Sequence, residues 1–338
     1  WRAALAIDPT DVRCNNALGL VAQRRGQFGT ATAHFRTAIE RLTRRNPNPR
    51  DGEAFYNLGM TLKMAGDLDG AYAALYKAIW SYAWQTPAYY SLAEIDCKRR
   101  DFVRALDHVN RSLQNSAMNM KARTLKTAIL RHLGQLDEAA RLTCEAVDLD
   151  PLDLGSRNEA VWISRAKGET AVANSQLSEL EALMDVPDIL SKIQAHFDLA
   201  FDYANAFLWE EATDVLERLV DPRDGSTYPM VLYALGYFAH RLGKKSQARD
   251  TYQNAAQLPT DYCFPVRLEE MVILEHAQAV NPDDGRAAYY LGNLYYDKKR
   301  YAEAIGQWER ATQLDPTFAT PWRNLGIAAY NVQHDAEK

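Results

Sequence analysis

The chain has 338 residues, of which 47% are hydrophobic and 25% are charged, and its formal net charge is −5. This composition is typical of a folded soluble protein. The negative charge argues against a general nucleic-acid binder, which needs an excess of lysine and arginine. No apolar run approaches the ~18 residues that a membrane span requires. We therefore expect neither a nucleic-acid partner nor a membrane partner.

A small residue returns every 34 positions along the middle of the chain, at Ala71, Ala105, Ala139 and Ala173. The same spacing continues, with insertions, to alanines on either side. Such a period is typical of helix–turn–helix units that stack on copies of themselves. The predicted units are 12–45, 52–85, 86–119, 120–153, 154–187, 193–226, 229–262 and 285–318.

The unit 285–318 has the clearest pattern. Its first helix carries Gly292 and Tyr295 on one face, and its second helix carries Ala304 and Trp308 on one face. The two small residues would let the helices approach closely, and the two large rings would fill the space beside them. The turns of other units hold a glycine where a left-handed backbone would end the first helix. These glycines are Gly26, Gly66, Gly134, Gly168 and Gly243.

This pattern resembles the tetratricopeptide repeat (TPR), which has Leu-Gly, then a large residue, Ala, an aromatic residue and Ala at fixed offsets. It recurs from Leu18-Gly19, from Leu58-Gly59 and from Leu235-Gly236, whereas Ala93, Thr127 and Val161 replace the glycine in the middle units. The resemblance implies an all-α fold. We expect a right-handed TPR superhelix (α-solenoid) of about eight helix pairs plus one extra helix, with the first helix of each pair on the concave face.

These repeats predict that the chain has four parts. Residues 1–45 hold a lead-in helix and the first unit, 52–262 form the TPR array, 263–282 form the extra helix, and 283–338 form truncated C-terminal units. Because the chain starts at Trp1 without a methionine or signal peptide, we expect it to be a fragment of a longer protein.

The C-terminal part carries a second resemblance. Cys263-Phe264-Pro265, the run from Tyr289 to Asp297, and Trp322-Arg323-Asn324-Leu325-Gly326 are similar to one family of large bacterial proteins. In that family, a C-terminal TPR array follows an N-terminal carbohydrate-enzyme-like domain of unknown function. The resemblance implies that any catalytic or sugar-binding domain lies upstream of this chain.

Motifs for catalysis and for cofactor binding are missing from the sequence. It has no zinc-binding HExxH, no G-x-S-x-G, no phosphate-binding loop and no dinucleotide fingerprint. Its four cysteines lie far apart without a CxxC pair, which favours reduced thiols and a cytoplasmic protein. We expect no catalytic residue, no cofactor and no metal. For an enzyme, Trp162, Glu94 and Asp297 would be the first candidates.

The concave groove is the candidate binding site. The fifth and ninth positions of a TPR first helix face this side, and many are aromatic here, which suits binding because aromatic side chains are amphipathic and stiff. Phe197, Phe201, Tyr233 and Tyr237 would form one apolar patch, although tyrosine at the fifth position is also ordinary in TPRs. The groove candidates are Tyr56, Tyr90, Trp162, Phe197, Phe201, Tyr233, Tyr237, Tyr289, Asn293 and Arg323.

Two features of the sequence bear on whether the array binds a charged partner. The carboxylate clamp of chaperone-binding TPRs is incomplete, because Asn293 and Asn324 match its asparagines but Tyr289 stands where its lysine should be. Basic clusters such as Lys98-Arg99-Arg100 lie near the ends of first helices. They either complement the helix dipole or form a basic edge that recruits an acidic partner.

The sequence therefore predicts a non-catalytic TPR scaffold that binds a protein or peptide, or docks its own upstream domain, through an aromatic concave groove. The alternative is a helical accessory part of a bacterial carbohydrate-active enzyme, in which the groove would contact a glycan.

Overall fold

The computed structural model describes residues 1–220 and 227–333. All regular elements in these two ranges are helical. The last six residues of the predicted unit 193–226 and the last five of the segment 283–338, including His334, lie outside the described residues. Among the described helices, none combines the length and the apolar character that a membrane span needs.

The described chain divides into two compact units. The first comprises residues 1–23 and 27–208, and the second comprises 24–26 and the chain from Trp209 onward. The helices of the first unit are α1 (Arg2–Ile7), α2 (Val12–Arg24), α3 (Phe28–Thr43), α4 (Glu53–Met64), α5 (Leu68–Ala78), α6 (Tyr82–Lys98), α7 (Phe102–Asn115), α8 (Met120–His132), α9 (Leu136–Leu149), α10 (Leu154–Ala166), α11 (Thr170–Met184) and α12 (Ile189–Asn205).

The second unit contains the remaining helices, α13 (Trp209–Glu217), α14 (Pro229–Arg241), α15 (Lys245–Ala255), α16 (Leu268–Val280), α17 (Gly285–Asp297), α18 (Tyr301–Leu314) and α19 (Ala319–Ala328), followed by a π-helical turn at Ala329–Gln333. Each predicted repeat unit contains two of these helices. Three further helices, α1, α16 and α19, complete the set in the described residues. The predicted all-α fold class of TPR helix pairs plus an extra helix is confirmed.

In four of the pairs, close packing of the two helices depends on one glycine in the first helix. A Cβ atom on Gly19 would lie 2.5 Å from the Phe35 ring, and one on Gly236 would lie 2.6 Å from the Tyr252 ring. These distances are shorter than real Cβ contacts, so the ring occupies the space that any other residue would need. Gly59 has the same relation to Leu75 and Gly292 has it to Trp308.

The partner of this glycine lies sixteen residues later in all four pairs. The units that lack the glycine have no aromatic partner at the same offset. Their pairs are Ala93 with Val109, Thr127 with Thr143, Val161 with Leu177, and Ala200 with Leu216. An aromatic ring therefore occurs at the second position only where the first residue is glycine, which limits the summed volume of the two side chains.

The tight turn inside each pair uses a left-handed residue, as predicted from the glycines. Gly26, Gly66, Gly134, Gly168 and Gly243 have φ between 69° and 87°. The equivalent turn position in three other units holds a residue with a side chain and a similar φ. These residues are Arg100, Phe207 and Lys299. The geometry of the turn is thus required even where the sequence does not offer glycine.

Helix α6 starts earlier than the predicted unit boundary at residue 86. It begins at Tyr82 and contains Pro87, which cannot donate the helical hydrogen bond to the residue four positions before it. Stacking supports the added turn, because the Trp84 ring lies on the Tyr56 ring of α4, with centroids 4.8 Å apart. Packing against the preceding pair therefore outweighs the cost of the proline.

Helix α16 lies within the segment 263–282. It contacts α14 on one side and α17 on the other, so one helix stands between two pairs. Its N-terminus is closed by Glu270, whose carboxylate accepts hydrogen bonds from the backbone N–H groups of Val266 and Arg267, both at 2.8 Å. The insertion therefore has its own N-terminal cap.

Because the two packing positions share one space, substitutions at both should not have additive effects on the free energy of unfolding. Gly59→Ala should lower the free energy of unfolding, because the new Cβ would lie 2.6 Å from Cγ of Leu75, and overpacking costs about 1–3 kcal/mol. Leu75→Val should cost about 1 kcal/mol through lost burial. The double variant should lose less than the sum of the two single variants, because Ala93 with Val109 is the same combination. Urea unfolding of all four proteins measures the coupling, and strict additivity would contradict the model of paired sizes.

The left-handed turns give a second prediction. Gly66→Ala should lower the free energy of unfolding by about 1–2 kcal/mol through backbone strain alone, because a Cβ there meets nothing within 4 Å. Gly306→Ala is the matched control. It is also exposed and free of contacts, but it lies inside α18, where alanine should raise stability by up to about 1 kcal/mol. Thermal and urea unfolding should give opposite signs, and equal signs would argue against the turn geometry.

Candidate functional site

Four first helices of the first unit surround one open cavity of about 330 Å³. Its walls come from α6, α8, α10 and α12, the latter two with their adjoining loops. The cavity is lined by Tyr90, Lys121, Thr124, Leu125, Ala128, Asp150, Leu152, Asp153, Leu154, Gly155, Ala195, Asp198, Leu199, Asp202, Tyr203, Ala206 and Leu208. We refer to this cavity as the α6–α12 groove.

Small side chains keep the groove open and bring its helices close. Ala128 and Ala206 are almost fully buried in its lining. A Cβ on Gly155 would lie 2.8 Å from Oγ1 of Thr124, so only glycine allows α10 to approach α8 at this point. The Thr124 Oγ1 atom is buried and has no hydrogen-bond partner among the described residues. The groove therefore combines an apolar floor with a hydroxyl group that lacks a protein partner.

The charge of the groove is acidic. Four carboxylates line it, those of Asp150, Asp153, Asp198 and Asp202, and Lys121 is the one cation among the described lining residues. The Lys121 ammonium lies 2.5 Å from Oδ1 of Asp202, with side-chain exposures of 64% and 35%. The pair thus closes a contact between α8 and α12 at the mouth of the groove.

Burial raises the pKa of Asp202 above its ordinary value, and the neighbouring Asp198 and Asp153 act in the same direction, while Lys121 opposes them. The pKa of the Tyr90 hydroxyl is raised well above its usual value, first by burial and then by the charges of Glu94 and Asp202. Both shifts have the same physical origin, since negative charge in a partly dehydrated groove disfavours further negative charge.

A buried polar network supports the groove from below. Arg131 of α8 forms a bidentate pair with Glu159 of α10, at 3.0 and 3.2 Å, and Glu159 is fully buried. Tyr203 of α12 donates a hydrogen bond to the same carboxylate at 2.9 Å and accepts one from Asn158 at 3.0 Å. Three of the four first helices are therefore tied to one carboxylate.

The predicted groove residues of the first unit differ in their placement. Tyr90 lines the α6–α12 groove. Tyr56 stacks on Trp84. The guanidinium groups of Arg131 and Arg165 lie 5.1 and 5.4 Å from the centroid of the Trp162 ring. Tyr56, Tyr90 and Trp162 are half-buried.

The aromatic patch predicted around Phe197 is largely within the core. Phe197 is 0% exposed and Phe201 is 5% exposed, and their rings pack at 5.5 Å. In the second unit, Tyr233 is 0% exposed and donates a hydrogen bond to Asp284 at 2.9 Å. Only Tyr237 of these four is half-buried. Phe197, Phe201 and Tyr233 therefore have no ring face at the surface of the described structure.

The remaining candidates lie in the second unit. Tyr289 is buried against Phe318, with ring centroids 4.9 Å apart. Oδ1 of Asn293 accepts hydrogen bonds from Trp308 Nε1 and Asn324 Nδ2, each at 3.0 Å. Arg323 is exposed. The two asparagines that match the carboxylate clamp thus bind each other.

The polar residues that line the groove form no recognisable motif in the sequence. Lys121, Asp198 and Asp202 belong to helices far apart in the chain, and Asp150 and Asp153 look like ordinary helix-end residues. Asp153 indeed caps α10 by accepting a hydrogen bond from the Ser156 N–H at 2.8 Å. No motif within one segment of the sequence could therefore have identified the groove.

The suspected catalytic side chains have ordinary structural partners. Glu94 is buried and lies 2.6 Å from the Lys63 ammonium, and burial raises its pKa. Asp297 pairs with its neighbour Lys298. Within the two described ranges, no group of three or more histidine, cysteine, aspartate or glutamate side chains could hold a metal ion.

Two stretches of the chain match models of the tetratricopeptide repeat. Residues 16–83 match a model described as "Tetratricopeptide repeat", and residues 279–333 match one described as "TPR repeat". Together with the helix pairs, these matches show that the chain contains tetratricopeptide repeats.

Known proteins of similar sequence and structure include the following. The chain is 23% identical over 325 residues to the CTR9 homolog of Arabidopsis thaliana, covering 90% of this chain and 29% of that protein. It is similar to a tetratricopeptide repeat protein from Parabacteroides merdae, with 14% identity and a TM-score of 0.49, over 80% of this chain and 98% of that protein chain. It is also similar to MamA from Desulfovibrio magneticus, with 18% identity and a TM-score of 0.47, over 52% of this chain and 97% of that protein chain.

The buried network below the groove predicts a large effect of a single change. Arg131→Met should lower the free energy of unfolding by about 3–5 kcal/mol, because it leaves Glu159 as a buried charge without its cation. The control is Arg141→Met, which breaks an exposed pair with Glu145 and should cost at most about 0.5 kcal/mol. Urea unfolding compares them, and similar small losses in both variants would show that the network does not support the fold.

Proposed function

We propose that this chain is a non-catalytic TPR scaffold and that it binds a segment of a protein partner in the α6–α12 groove. The observation that supports this proposal is the cavity itself, which four successive first helices line with apolar, aromatic and polar groups. A concave surface of that kind buries part of a ligand and orients it through a few polar contacts.

The groove also limits which aromatic residues we assign to binding. Tyr90 is the candidate in its lining, whereas Phe197, Phe201, Tyr233 and Tyr289 are buried. A buried ring cannot contact a partner without local unfolding, which would add an energetic cost to binding. We therefore place the contact at Tyr90 and the polar groups around it. Partner contacts at Tyr56, Trp162, Tyr237, Asn293 and Arg323 stay predictions.

The wider context of the chain is part of the proposal. An upstream domain of the same protein, of the carbohydrate-enzyme-like kind found in the bacterial family it resembles, is a second candidate occupant of the array. A cytoplasmic location is supported by the four cysteines, all of which are free thiols. Direct glycan contact has no support in the α6–α12 groove beyond the single ring of Tyr90, because sugar stacking needs exposed aromatic faces.

Peptide selection on the purified chain tests the proposed function. A random peptide library displayed on phage should yield peptides that bind the chain and that lose binding to Ala195→Trp, which fills the groove from α12. Ala171→Trp is the matched control, since it adds the same bulk at an exposed position of α11 and should retain binding. Circular dichroism and thermal unfolding establish that both variants fold.

Either of two results would overturn this assignment. The library could yield no peptide whose binding depends on Ala195, or Ala171→Trp could reduce binding as much as Ala195→Trp does. In the second case, the added tryptophan acts through general surface properties and not through the groove.

A further inference from the structure

We propose that helix α16 is held by an acid-sensitive latch, in which the imidazoles of His240 and His276 pack together at neutral pH and protonation loosens the helix. The proposal concerns the second unit of the chain, so it does not depend on peptide binding in the α6–α12 groove.

The latch lies where α16 contacts α14. His240 is in the last turn of α14 and His276 is on α16, and their ring centroids are 4.2 Å apart. Both side chains are half-buried. Two imidazolium charges at this separation would repel each other, because water reaches them only in part. The closed contact therefore favours a pair in which at least one ring is neutral.

The other groups from α14 and α15 that face His276 offer no negative charge. Arg241 of α14 is a further cation that acts on His276, and the Tyr237 ring lies edge-on to the imidazole at 5.3 Å. The Tyr252 hydroxyl of α15 lies 2.8 Å from Nδ1 of His276. A hydroxyl can bond a neutral or a protonated imidazole. Burial raises the pKa of Tyr252 well above its ordinary value, so this hydroxyl stays uncharged.

The carboxylates of α16 are bound elsewhere. Glu275 is exposed and accepts a hydrogen bond at 2.8 Å from Tyr295 of α17, whose ring lies under the Arg300 guanidinium at 4.0 Å. Glu270 accepts the backbone N–H groups that begin the helix. On the side of α18, Arg310 donates to the Gln278 amide at 2.7 Å. A second proton on the imidazole pair would therefore meet cations and neutral groups.

The direction of the pH effect follows from the two states of α16. Burial lowers the pKa of His276 from its ordinary value to about 4, and His240 and Arg241 act in the same direction. When α16 is open, the imidazole is in water and regains a pKa of about 6.5. The open state therefore takes up a proton below pH 6.5, and the closed state does so only near pH 4. The closed form is favoured most above pH 6.5 and loses that advantage as the pH falls toward 4.

Opening of the latch would uncover apolar surface. The side chains of Met271, Ile273, Leu274 and Ala277 on α16 are buried, and the helix contacts α14 and α17. Loosening the helix exposes these side chains together with the helix faces that they cover. Contiguous apolar surface of this kind favours association with other proteins. The latch would thus make a protein-binding surface available in acid.

Hydrogen exchange of the α16 amides at pH 7.5 and 5.5, corrected for intrinsic exchange rates, tests the proposal. The opening equilibrium constant should rise about tenfold toward the lower pH, because opening takes up one proton. His276→Gln should abolish the rise, since glutamine can still bond Tyr252 but does not titrate. The matched control is His34→Gln, which removes an imidazole of α3 that bonds Asn15 and should retain the rise. Circular dichroism checks that each variant folds.

His240→Gln provides a readout that a merely structural role would not change. It removes the facing imidazole but keeps His276, so the NMR titration midpoint of the His276 ring should move up toward its ordinary value. The rise in α16 opening should become smaller than tenfold for the same reason. This measurement remains decisive if His276→Gln does not fold.

Three results would overturn the latch. The first is an ordinary titration midpoint of His276, near pH 6.5, in the unmodified chain. The second is a tenfold rise that persists in His276→Gln. The third is an equal rise in every helix of the second unit, which would show that acid destabilises the whole unit and not the contact of α16.

Discussion

The close approach of two helices is the constraint on which each repeat of this chain depends, and in four repeats a glycine in the first helix permits it. Where the first helix holds Gly19, Gly59, Gly236 or Gly292, the large side chain sixteen residues later occupies the volume of the missing Cβ. This contact sets the distance between the helices and therefore where the next pair can pack. The left-handed turn residue follows from the same requirement, because the chain must reverse within a few residues to bring the packing positions together. Arg100, Phe207 and Lys299 adopt that strained geometry even without glycine.

Because these features lie close together in the chain, the sequence alone predicts the helix pairs and their order. A helix pair, its turn and its packing position all lie within 34 residues, so a single chain displays them repeatedly as a pattern. The helix pairs, the lead-in helix and the trailing helix were all predictable from spacing. The early start of α6 was not, because it depends on Trp84 finding Tyr56 in the preceding pair, and a proline at position 87 argues against a helix there.

The candidate site is different because it is assembled from side chains that are distant in the chain. Lys121 and Asp202 are 81 positions apart, and the network of Arg131, Glu159 and Tyr203 joins three helices. Whether an aromatic residue at a fifth or ninth position faces solvent depends on how tightly neighbouring pairs close over it. Phe197 and Tyr233 are covered, whereas Tyr90 lines the groove. Position within the repeat therefore predicts which side of the helix a residue occupies but not how exposed it is.

The distribution of charge illustrates the same distinction between composition and placement. The clusters of lysine and arginine are the most visible charges in the sequence, yet several of their members bind within the protein. Arg99 pairs with Asp69 and lies over the Tyr72 ring at 4.5 Å, and Lys298 donates a hydrogen bond to the Val266 carbonyl. The carboxylates of the groove come from two separate segments, Asp150 and Asp153 before α10 and Asp198 and Asp202 within α12, and form no conspicuous cluster in the sequence. Because an electrostatic field adds over all charges near a cavity, carboxylates from separate segments act together at the groove, although neither segment is conspicuous in the sequence.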